Sequence, residues 1–78
     1  MSSRIAAVER KLKADERRRD KAREKFNEAE KNWRNASDEN SRARWLDKKG
    51  KAGRELYRAE MQVQRSKRDL EAQKSSLR

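Results

Sequence analysis

Asn35-Ala36-Ser37-Asp38-Glu39-Asn40-Ser41 lies at the midpoint of the 78-residue chain, and its reading decides the fold. Ser, Asp and Asn side chains compete with the helix backbone for hydrogen bonds, so this run reads as a turn with capping residues. On its N-terminal side, positions alternately three and four apart carry Ile5, Val8, Leu12, Asp15, Arg19, Ala22, Phe26, Ala29, Trp33 and Ala36. On its C-terminal side the same spacing carries Trp45, Lys49, Ala52, Leu56, Ala59, Val63, Ser66, Leu70, Gln73 and Leu77. Each tract has the period of a coiled-coil seam with polar intrusions. The two are out of phase: extending the first register would use Asn40, Ala43 and Asp47 and skip Trp45. A single straight helix does not present both seams on one face, which points to an interruption between them.

These observations predict an all-α protein, a single domain over 1–78 made of two long helices in an antiparallel coiled-coil hairpin. The first helix is expected over about 3–35, the turn over about 36–40 and the second helix over about 41–76. Ser37 or Asp38 is the expected cap of the second helix, with Glu39 near its positive end. The competing hinge is Lys48-Lys49-Gly50-Lys51-Ala52-Gly53, because glycine weakens helices. A fold-back near residue 39 is favoured because it sets large seam residues against small ones: Ala22 against Leu56, Phe26 against Ala52 and Gly53, Leu12 against Ser66. Trp33 meets Trp45 beside the turn, and both are expected to plug the closed end. In this register Asp15 faces Val63 and Ala29 faces Lys49, two poor fits. Flanking charges predict the pairs Lys11 with Asp69, Lys25 with Glu55 and Glu9 with Lys67, and set Glu16 unfavourably near Glu60. The same seam would also serve one long helix pairing between two molecules.

Charged residues make up 49% of the chain and hydrophobic ones 31%, too little apolar mass for an ordinary globular core, so long helices closing a narrow seam are the expected form. There is no Pro, Cys or His. Without thiolate or imidazole, neither the usual metal centres nor hydrolytic triads can be built, and the carboxylates fall in no catalytic motif. No catalytic residue, metal ligand or cofactor site is assigned, and no small-molecule substrate is expected. No apolar run approaches the ~20 residues of a membrane span. The expectation is a soluble intracellular protein of the cytoplasm or of the nucleus or nucleoid.

Net charge is +10, which draws the chain towards nucleic acid or an acidic protein surface. The bias is strongest in the second half, with 12 basic against 5 acidic residues from Asn40 to Arg78. Arg44, Lys51, Arg58 and Arg65 recur once per heptad, with Arg54 close by. A row of this kind suits phosphates along a duplex of RNA or DNA, and equally an acidic partner protein. Arg4, Lys11, Arg18 and Lys25, joined by Arg10 and Arg17, form a similar row on the first arm, part of it expected to be tied up in the flanking ion pairs. Leu46, Gly50, Gly53, Tyr57 and Met61 form a second apolar stripe. It would either bury against another copy, giving a homodimeric four-helix bundle, or flank the seam and shield it from water.

Overall fold

The computed structural model describes residues 3–76. Helix α1 spans Ser3–Asn35 and helix α2 spans Glu39–Ser75, and the two pack antiparallel along their length. The molecule is an all-α helical hairpin measuring 59 × 13 × 12 Å, the length of one arm and not of a single continuous helix. No described helix is long and apolar enough to cross a membrane.

The turn forms where the capping residues cluster. Asp38 is the N-cap of α2: its extended backbone lets the carboxylate accept the Ser41 N–H at 2.7 Å, and its carbonyl accepts the Arg42 N–H at 3.0 Å. Because Asp38 takes the cap, α2 begins at Glu39, earlier than the start read at 41. Hydrogen bonds from Ser41, through its side chain and then its backbone, hold the Asp38 carboxyl below its ordinary range. A group with a depressed folded-state pKa adds stability above its unfolded value, and that stability is lost as pH falls through the folded one. Asp38→Ala should therefore lower the melting temperature at neutral pH. Asp38→Asn, an equally good cap, should keep it and remove this part of the acid dependence, as thermal melts across pH 2–6 would read.

Both glycines lie inside α2, so Lys48–Gly53 is continuous helix and not a hinge. A Cβ at Gly53 would sit 3.4 Å from the Phe26 ring, so the glycine lets the aromatic lie close against α2, and only alanine could follow it without displacement. Gly50 has no such neighbour: a Cβ there would meet only the flexible Arg54 side chain, at 3.8 Å. Since glycine within a helix costs about 1 kcal/mol relative to alanine, nothing inside the hairpin offsets the loss at Gly50.

Every described position of both seams is buried or half-buried; Leu77, the last seam position read, lies outside the described residues. The fully buried positions are small or β-branched: Ala22, Ala29, Ala52, Ala59, Val63 and Ser66. Alanine lets the helix backbones approach, whereas Leu12, Phe26, Leu56 and Leu70 are only half covered, as two helices alone cannot enclose a large side chain. The two poor fits resolve through side-chain reach. Asp15 accepts the Ser66 hydroxyl proton across the seam and has Lys11 Nζ at 3.6 Å, leaving it 12% exposed. Lys49 extends to the closed end, with Nζ 4.6 Å from the Trp33 ring centroid, a cation–π contact.

The flanking charges arrange themselves differently from the expected pairs. Lys11 turns to Asp15 and to Ser66 Oγ, 3.4 Å away, in place of Asp69. Glu60 meets Arg23 at 3.5 Å, the ion pair that crosses between the helices among the described residues. Lys25 and Glu55 come to line one groove without forming an ion pair. Exposed pairs gain only ~0.2–1 kcal/mol, so long side chains choose among several partners at little cost.

Candidate polyanion-binding face

With the seam of each helix lettered a and d, the row Arg44, Lys51, Arg58 and Arg65 occupies the c positions of α2. Arg4, Lys11, Arg18 and Lys25 occupy the g positions of α1. In an antiparallel pair the g flanks of the two helices adjoin, so both rows belong to the same side of the hairpin. The groove along that side shows the convergence directly. Its larger part, about 910 Å³, is lined by Arg17, Arg18, Lys21 and Lys25 from α1 and by Arg58, Glu55 and Gln62 from α2, with Asp20 also on its wall. Ala14, Ala22 and Ala59 line it with small side chains. A smaller part, about 330 Å³, continues towards the turn past Lys25, Glu28, Trp45, Lys48 and Lys51, with Ala29 and Ala52 beside them. Small residues keep the trench open and long cations stand around it.

The charge is one-sided. The g and c positions of this side hold ten cations, Arg4, Lys11, Arg18, Lys21 and Lys25 from α1 and Arg44, Lys48, Lys51, Arg58 and Arg65 from α2, against three carboxylates, Glu28, Glu55 and Asp69. The b and e positions of the opposite side nearly balance: Lys13, Arg23, Arg34, Lys67 and Lys74 against Glu9, Glu16, Asp20, Glu30, Glu60 and Glu71.

All four residues of the α2 row are exposed. Lys51 pairs with Asp47 at 3.3 Å, with both side chains about two-thirds exposed, a contact that solvent screening leaves easy to exchange for phosphate. Arg54, grouped with the row on sequence, leans the other way: its guanidinium is the atom group nearest the missing Cβ of Gly50, and it does not line the groove. Lys25, expected on sequence to pair with Glu55, stands in the groove, as does Arg18 of the same row. Arg17, which joins the α1 row on sequence, stands there too. Lys21 and Lys48 are the cations that the sequence rows leave out; a heptad wheel with both helices in register is the signal that finds them.

Trp33 and Trp45 are half-buried at the closed end. Arg42 and Lys49 lie 5.7 and 4.6 Å from the Trp33 ring centroid, and Lys48 lies 4.4 Å from that of Trp45. Of the second apolar stripe, Leu46 is 53% and Tyr57 65% exposed, and Met61 is half-buried. Comparison of the chain with protein-family models, with curated proteins and with solved structures finds no match to any of them.

Proposed function

We propose that this is a non-enzymatic intracellular protein that binds a nucleic-acid duplex, RNA or DNA, along the cationic face of its hairpin. The observation that supports this reading is the segregation of charge: ten cations against three carboxylates at the g and c positions of one side, and five against six on the other. Solubility alone would be served by charges spread around the rod. A rigid one-sided array is what phosphate neutralisation and counterion release use. From Arg44 to Arg65 the row spans roughly 32 Å of helix, close to one turn of a B-form duplex. Contacts of this type position a protein on the backbone and carry little base specificity. The reading includes a homodimer, in which the exposed stripe around Leu46, Tyr57 and Met61 meets a second copy.

Titration against duplex RNA, duplex DNA and single strands at 50 and 200 mM salt is the direct test. The expected result is duplex binding that weakens by about 10³-fold or more over that range, the behaviour of six or more phosphate contacts. Absence of binding at the lower salt would discard the reading and turn the search to an acidic protein partner for the same face.

A further inference from the structure

The stripe Leu46, Gly50, Gly53 and Tyr57 has spacings of four, three and four residues, so it reads the same in both directions along α2. We infer that α2 pairs antiparallel with α2 of a second copy about a two-fold axis passing between Gly50 and Gly53, which sets Leu46 against the partner's Tyr57 twice and glycine against glycine at the centre. The inference rests on the homodimer reading and gives that dimer its face, direction and register.

Three independent observations lead here. Among the described residues, Leu46 and Tyr57 are the large hydrophobic side chains that the hairpin leaves most exposed. Between them Gly50 lacks any reason within its own chain to be glycine, as a Cβ there meets only the end of Arg54. A glycine without an internal role, with exposed Leu46 one turn before it and exposed Tyr57 two turns after it, is explained by another backbone approaching it. Self-pairing also needs charges that do not repel, and the side of the hairpin away from the groove is the one on which charges balance. The two-fold further brings Asp47 beside the partner's Arg54, and Arg54 beside the partner's Asp47, one complementary pair on each side of the axis. Arg54 already leans over Gly50, towards this face and off the cationic row.

The register makes a dimensional prediction. The axis lies ~20 Å from the turn along a 59 Å hairpin, so the two molecules overlap over their closed halves, their open ends project, and the dimer is roughly 80 Å long. Its cationic grooves face outward, away from the axis.

Sedimentation and small-angle scattering of the full chain, without nucleic acid, test this. The expected result is twice the 9.3 kDa chain mass and a maximum dimension near 80 Å. Gly50→Leu should return the protein to a monomer of unchanged or higher helicity, because the position is open within the hairpin. Asp47→Arg should weaken dimerisation at least tenfold, and Asp47→Arg with Arg54→Asp should restore it; failure of the restoration overturns the register even where Gly50→Leu has perturbed folding. A monomer at all accessible concentrations, a dimer near 60 Å long, or a dimer indifferent to Gly50→Leu each overturns the inference. A monomer that still binds duplex removes the homodimer and leaves the duplex-binding reading standing, whereas a dimer of the stated shape that binds no nucleic acid leaves only this inference standing.

Discussion

Reversing Arg44, Lys51, Arg58 and Arg65 to Glu is expected to abolish duplex binding while leaving the hairpin folded. All four side chains are exposed, and apart from the exchangeable Lys51–Asp47 contact none forms an ion pair among the described residues, so folding loses little by their removal. Binding loses four phosphate contacts and gains four repulsions. With about 0.9 of a counterion released per phosphate contact, removing four reduces the slope of log affinity against log salt by about 3.6. The matched control reverses Lys13, Arg34, Lys67 and Lys74, an identical change in net charge made on the balanced side. If the face matters, that variant retains most of the affinity and nearly the full salt slope. Equal losses in the two variants would show that net charge alone drives association, and the groove would have no special role.

Ser66→Ala should destabilise the hairpin by about 1–3 kcal/mol, although it removes a single oxygen. Ser66 is 3% exposed and its hydroxyl donates to Asp15, a carboxylate held inside the seam with Lys11 alongside. Without that donor, Asp15 keeps its desolvation and loses its partner across the helices. For a chain of this size the corresponding fall in melting temperature is roughly 5–20 °C. Replacing the acid as well, as Asp15→Leu with Ser66→Ala, should recover the loss and reach up to about 4 kcal/mol above the parent, since apolar packing commonly outdoes a buried charged group. The gain would come with weaker definition of register, because a polar group that must find one partner across a seam penalises every slipped alignment. A melting temperature unchanged in Ser66→Ala would show that the contact contributes nothing. A double variant less stable than Ser66→Ala would show that Asp15 stabilises the seam by some other means.

Much of the architecture was legible because it is local. The three-and-four spacing of Ile5 through Ala36 and of Trp45 through Gln73 names the buried side of each helix, since helix geometry puts such residues on one stripe whatever they touch. The phase break between the tracts and the capping residues around Asp38 place the turn for the same reason: the hydrogen bond from Ser41 to Asp38 involves residues three apart. Gly53 was read as room for Phe26 from size complementarity alone, and the ring does lie against it.

The site depended on what lies across the hairpin, and sequence spacing says little about that. Each cationic row is visible as a heptad repeat and antiparallel lettering puts both on one side, yet spacing does not say how open the groove between them is or how far each side chain reaches across it. Side-chain length then decides the partners. Lys11 reaches Asp15, Lys49 reaches the Trp33 ring and Glu60 meets Arg23, none of them the neighbour that the register sets opposite, because long side chains choose among partners at little cost. Sequence by itself therefore determined two helices, their buried stripes, the place of the turn and the excess of positive charge, all consequences of backbone period and composition. Only the tertiary structure decided that an open groove lies among Arg18, Lys21, Lys25, Lys51 and Arg58, that Ser66 satisfies Asp15, and that Gly50 meets no side chain of α1, because each depends on which atoms the fold-back brings within a few ångströms.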